Sequence, residues 1–133
     1  MARAVATRRS GYEHEVVIDD HHRFVMDEPE ESGGKNAGPS PTRTLAAALA
    51  ACTAITVEMY ADRKEWDLGE LAVDVDMEYD GPMPREFTVT LRLPGGLTEE
   101  QLERLRTIAG KCPVHRALAS ETKVSITDRV APL

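Results

Sequence analysis

The stretch from Ser40 to about Lys64 constrains the fold more than any other part of the chain. Ser40 is a good helix N-cap, and Pro41 fits the first helical position, where its missing N–H is not needed. Leu45, Leu49, Cys52, Ile55, Thr56 and Met59 recur at spacings of three and four, so they share one face of a helix. Through Val57 the remaining faces are apolar too, chiefly alanine, and a helix apolar all round must be buried. At 1.5 Å per residue it would be roughly 35 Å long. That exceeds what a core of 133 residues can cover, so a partner subunit is expected to bury part of it. The uncharged run itself, Thr44 to Val57, is shorter than the ~20 apolar residues of a membrane span.

Strands flank this helix. Short strands are predicted at Ala2–Ala6, Tyr12–Ile18 and Arg23–Met26, broken by Arg9-Ser10-Gly11 and Asp19-Asp20. A polar, Gly-rich loop covers residues 28–38. Beyond the helix, Leu71–Tyr79 and Phe87–Leu93 alternate apolar and polar residues, as strands with one wet face do. The link Asp80-Gly81-Pro82-Met83-Pro84 makes them an antiparallel pair. Thr98 with Gln101 is a capping-box pattern, opening a helix striped by Leu102, Leu105, Ile108 and Ala109 and closed by Gly110. A short helix at Pro113–Ala119 and a last strand at Lys123–Thr127 complete an α+β order within one domain, residues 1–133.

The net charge of −7 argues against nucleic acid or an anionic membrane surface as partner. No apolar secretory core stands near the start, so a cytoplasmic location is expected. That compartment keeps thiols reduced, so the two cysteines should serve redox chemistry or metal ligation, not a structural staple. Cys52, on the apolar helix face, reads locally as a core residue with an inert thiol. Cys112 sits before Pro113, hence at the N-cap of the short helix, where free N–H groups and the helix dipole favour a thiolate. Lys111 and Arg116 add positive charge nearby. Cys112 and His115 have the spacing of half a metal site, but zinc needs three or four ligands and Cys52 has no Cys or His one turn away. No metal or other cofactor is expected. His21-His22 reads as a solvated pair.

The segments Gly38-Pro39-Ser40-Pro41, Leu45–Thr56, Met59–Lys64 and Lys111-Cys112-Pro113-Val114-His115-Arg116-Ala117-Leu118 together resemble the OsmC/Ohr family, as does Asp27-Glu28-Pro29 followed by Gly33-Gly34. The resemblance implies an intertwined homodimer with antiparallel sheets wrapped around long central helices. It implies reduction of peroxides, organic hydroperoxides above all, at the expense of a dithiol reductant. Cys52 would then be the attacking cysteine and Cys112 the resolving one, reversing the order the local reading gives. The family also has a Glu near the start of the long helix that holds an activating Arg. Here those positions are Thr42 and Arg43, with no carboxylate. The best match for the Arg itself is Arg9, expected to bind substrate, with Arg8 and Arg23 as alternatives. Arg43, some 14 Å along the helix from Cys52, would supply its charge to a partner's Cys52. The alternatives to a peroxidase are a non-catalytic dimeric relative that binds an apolar molecule or partner, and a metal-binding module.

Overall fold

Ser40 and Pro41 open the long helix as their chemistry predicts. In the computed structural model, which describes all 133 residues, this helix, α1, runs Pro41–Arg63. The Ser40 carbonyl accepts from Thr44 N–H at 2.9 Å, and its hydroxyl accepts from Arg43 N–H at 3.4 Å. By length and composition α1 is apolar enough to cross a membrane, contrary to the sequence expectation, which measured only the uncharged stretch. The core helix of a globular fold passes the same test, and α1 lays Leu49, Thr53, Val57 and Ala61 inward as a single buried row.

Before α1 come three strands in a meander: β1 Ala4–Ser10, β2 Glu13–Ile18 and β3 His22–Met26. They pair antiparallel, with Ala4 opposite Ile18 and His14 opposite Met26. The first turn falls at Gly11-Tyr12, so Arg9 and Ser10 extend β1 where the sequence suggested a break. After α1, β4 Ala72–Asp80 and β5 Met83–Arg92 form a two-stranded ribbon. The two-residue link Gly81-Pro82 makes the pair antiparallel. β5 begins four residues earlier than its alternation implied, because Pro84 is tolerated in a ribbon whose strands are both edges.

Next come α2 Glu99–Ala109 and α3 Pro113–Leu118. The predicted capping box of α2 is formed: Gln101 N–H donates to Thr98 Oγ1 at 3.1 Å, and Thr98 N–H donates to Gln101 Oε1 at 2.9 Å. The strand expected at Lys123–Thr127 is absent. Val124 and Ile126 alternate correctly but stand exposed, since alternation makes a strand only where a neighbouring strand supplies the hydrogen bonds.

The chain divides into two compact units, residues 1–47 with 77–87 and residues 48–76 with 88–133. The first holds the meander and the loop after it. There the buried Asp27 carboxylate accepts from the N–H groups of Glu28 (2.7 Å), Lys35 (3.1 Å) and Ala37 (3.2 Å). Gly34 and Gly38 let the loop close this tightly: a β-carbon at Gly34 would lie 1.9 Å from the Glu28 carbonyl oxygen, and one at Gly38 2.2 Å from that of Val25. The second unit has the larger apolar core. Val57 and Ala61 of α1 pack with Leu105 and Ala109 of α2 and with Leu68, ringed by Tyr60, Trp66, Leu71, Leu91, Leu93 and Leu97.

Candidate active site

The second unit brings the two cysteines together although sixty residues separate them in sequence. Cys52 comes from α1 and Cys112 from the junction of α2 and α3; both are free thiols. The packing of α1 on α2 sets one, and the one-residue step from Lys111 into α3 sets the other. Cys112 is the N-cap of α3, with Pro113 at the first helical position. Its sulfur accepts from His115 N–H at 3.5 Å, and its carbonyl accepts from Arg116 N–H at 3.0 Å.

Three groups act on the Cys52 thiol: the Cys112 thiol, the backbone N–H of Val114, and the hydroxyl of Thr56. Val114 follows Pro113, so its N–H is the first that α3 offers. The opening turn of α3 gives the His115 N–H to the Cys112 sulfur. Burial pushes the Cys52 thiol up from its ordinary pKa, and the adjacent Cys112 pushes it further. The Val114 N–H and the Thr56 hydroxyl pull it down but do not balance the rise. No cation figures among these influences.

Exposure corrects the local reading of the two thiols. Cys112 is 0% exposed, whereas Cys52, which read as core, is only half-buried. Of the two thiols, Cys52 is the one open to solvent. Ile55 and Met59, one and two turns on from Cys52, are 50% and 57% exposed. With Ala47, Ala48 and Ala51 they form an apolar outer face of α1 that nothing in the chain covers.

Arg9 belongs to the first unit. Its guanidinium donates to Glu15 at 2.7 Å and lies 3.7 Å from Glu13. The alternatives are engaged in the same unit: Arg23 with Glu15 at 3.2 Å, and Arg8 with the Gly11 carbonyl at 3.0 Å. At the positions of the missing carboxylate, the Thr42 hydroxyl bonds the Tyr79 phenol at 2.9 Å, and Arg43 is exposed. Nine residues are two and a half helical turns, so Arg43 and Cys52 project from opposite sides of α1. His115 Nδ1 lies 3.6 Å from a Glu121 carboxylate oxygen, outside hydrogen-bonding distance. No group of three or more His, Cys, Asp or Glu side chains is placed to hold a metal ion.

Two site groups escaped the sequence reading. Val114 was legible in principle as the first N–H after a Pro at the start of a helix. Thr56 shares the helix face of Cys52, but at that spacing it reads as part of the apolar stripe.

A family model described as OsmC-like protein matches residues 33–127, which include both cysteines. Among solved structures the fold is similar to that of an OsmC like protein from Mycoplasma pneumoniae, at 20% identity and TM-score 0.72, covering 90% of this chain and 86% of that one. It is similar to the organic hydroperoxide resistance protein OhrB of Bacillus subtilis at 25% identity and TM-score 0.59, covering 88% and 89%. An organic hydroperoxide resistance protein from Elizabethkingia anophelis matches at 24% identity and TM-score 0.64, covering 88% and 86%. The comparison with curated proteins found no match.

Proposed function

The chain belongs to the OsmC-like protein family, and from that premise we propose that it reduces organic hydroperoxides through Cys52 and Cys112. The observation that carries the reading is the meeting of two free thiols from distant segments, one open to solvent and the other sealed. The Cys52 thiolate attacks the outer oxygen of the hydroperoxide. The O–O bond breaks, Cys52 becomes a sulfenic acid, and the alkoxide leaves and takes a proton as the alcohol. The Cys112 thiol then condenses with the sulfenic acid, releasing water and forming a disulfide. An external dithiol reduces that disulfide by exchange and is itself oxidised. The cycle needs a reducing compartment, which fits the cytoplasm. The apolar surface beside Cys52, made by Ile55 and Met59, suits an alkyl hydroperoxide better than hydrogen peroxide.

The same exposed face of α1 supports a homodimer, because monomers rarely leave large contiguous apolar surface open to water. Light scattering should give twice the chain mass, and Ile55→Glu should shift it toward monomer. Thiol titration before and after one equivalent of tert-butyl hydroperoxide tests the reaction. Loss of two thiols in the wild-type protein, and no disulfide in Cys52→Ser, is expected; two surviving thiols would replace this reading with a non-catalytic relative. Arg9 enters only through the family resemblance, and an Arg9→Ala protein that reacts as fast as wild type removes it from the mechanism.

A further inference from the structure

We propose that the groove where the end of α1 meets α2 is a binding site for a small aromatic carboxylate, its charged end taken by Lys64 and Arg104 and its ring laid against Trp66. The groove lies wholly within the second unit and holds about 850 Å³, a volume suited to a small molecule. α1 ends in a Schellman motif: Glu65 N–H donates to the Asp62 carbonyl at 3.1 Å, and Trp66 N–H to that of Ala61 at 2.8 Å. Glu65 takes the left-handed position, φ +59°, that glycine usually fills. This reversal brings Trp66 back beside Tyr60, with ring centroids 5.7 Å apart and planes at 72°. Both rings are half-buried, packed against the cluster of Val57, Ala61 and Leu105, and both also line the groove.

Two cations converge on this corner without a carboxylate to neutralise them. Arg104 Nε donates to the Tyr60 phenol oxygen at 2.8 Å, and its guanidinium carbon lies 5.4 Å from the centre of that ring. Lys64, one turn beyond Tyr60, holds its ammonium 5.7 Å from the same ring. Neither forms a salt bridge, whereas Arg9, Arg23, Arg85, Arg92 and Arg106 each do. Carboxylates are plentiful in a chain of net charge −7, yet none closes on this pair. The Tyr60 phenol responds to the local field. The Arg104 hydrogen bond, with the charges of Arg104, Lys64 and Arg63, holds its pKa below the ordinary value against the opposing effect of burial. Of the two acids on the lining, Glu103 is held by Arg106, and Glu100 is exposed and makes no ion pair. Arg104 spends only Nε on the phenol, so its two terminal nitrogens are free to grip a carboxylate, and Lys64 adds a second donor. Trp66 supplies the flat apolar wall on which an aromatic ring stacks. Tyr60 stands eight residues beyond Cys52, about 12 Å along α1, so this groove is distinct from the two thiols.

The probe is β-naphthoate, titrated into the full-length protein and followed by calorimetry and by the indole N–H resonance of Trp66, the only tryptophan in the chain. A dissociation constant of about 0.1 to 1 mM is expected for a ligand of this size, with the Trp66 resonance moving to saturation. The neutral β-naphthamide should bind about 10-fold more weakly or worse, because hydrogen bonds to charged groups are worth at least that factor. Arg104→Met should weaken naphthoate binding by about 10-fold. Lys64→Met should weaken it too, and since the Lys64 ammonium touches only the Tyr60 ring, that variant removes charge while leaving the packing intact. Glu100→Gln, which removes the unpaired acid, should tighten binding. A Trp66 resonance unmoved by millimolar naphthoate, equal binding of the amide, or Arg104→Met and Lys64→Met proteins that bind like wild type would overturn the proposal. No peroxide is present in the titration, so its outcome is independent of whether Cys52 and Cys112 reduce hydroperoxides.

Discussion

Leu105 is the side chain on which the position of the candidate site depends most. It is 0% exposed and packs from α2 against Val57 and Ala61 of α1, five and nine residues beyond Cys52. α2 in turn leads through Gly110 and Lys111 to Cys112. Replacing Leu105 by Ala empties the centre of this cluster. Fully buried Leu→Ala changes cost about 2.7 to 5 kcal/mol, with the higher values where the walls cannot collapse. Helices held by α-helical hydrogen bonds on both sides of the void collapse poorly, so a value near 3.5 kcal/mol is expected, to order of magnitude. At about 2.1 cal/mol/K per residue, unfolding 133 residues releases about 280 cal/mol/K. Each kcal/mol then moves Tm by about 3.6 °C, and Leu105→Ala should lower it by about 12 °C. The assay is thermal unfolding by circular dichroism at one fixed protein concentration, because a dimer's Tm depends on concentration. Disulfide formation after peroxide should slow in the same protein at temperatures where it is still folded, since α2 carries Cys112. A fall in Tm below about 3 °C would refute the reasoning, showing that the cluster closes over the gap or that α2 is not anchored there.

Two further predictions concern the loop that precedes α1. Burial would raise the pKa of Asp27, but N–H groups of Glu28, Ala37 and Lys35, with the Lys35 ammonium, outweigh it and hold the carboxyl below its ordinary value. The folded chain therefore binds fewer protons at Asp27 than the unfolded chain, and the stability so contributed is complete above the unfolded value. It is lost as pH falls from about 4 through the lowered folded value. Urea midpoints of wild type should drop over that range, and Asp27→Asn should flatten that part of the curve. Gly34→Ala places a methyl group against the Glu28 carbonyl and the Asp27 carboxylate. It should unseat the loop, seen as faster amide exchange at Lys35 and Ala37 with little change in the α1–α2 core.

Periodicity and cap chemistry made the helices legible. Ser40-Pro41, Thr98 with Gln101, and Cys112-Pro113 each marked a helix start to the residue, because a cap is a local contract between one side chain and the next few N–H groups. Strands were less legible because their partners are not local. Arg9 and Ser10 look like turn residues, yet pairing with β2 carries β1 through Ser10. Val124 and Ile126 look like a strand, yet no neighbour in the chain pairs with them. The sealed cradle around Asp27 was invisible for a different reason. Its hydrogen bonds come from backbone N–H groups, which the side-chain letters of Glu28, Lys35 and Ala37 do not announce.

The cysteines show the same division between local and non-local information. Helix-cap chemistry, read along the sequence, favours Cys112 as the acidic thiol, and the structure confirms that its sulfur caps α3. Yet a nucleophile must be reached before it can react, and Cys112 is closed to solvent while Cys52 is not. In the proposed cycle a peroxide arriving from water would select Cys52 by access even though burial and the second thiol oppose its ionisation. Once Cys52 is a sulfenic acid, the order of merit changes. The resolving thiol need only face the sulfur beside it, and a sealed Cys112 is protected from wasteful reaction with peroxide itself. Access alone does not ionise Cys52, and the groups that pull its pKa down are the Val114 N–H and the Thr56 hydroxyl. The rate of this site should accordingly track the hydrogen bonds made to one sulfur more closely than the net charge around it. High salt, which screens ion pairs, should leave the rate at Cys52 nearly unchanged if that is so. A steep salt dependence would instead return the activating role to a guanidinium.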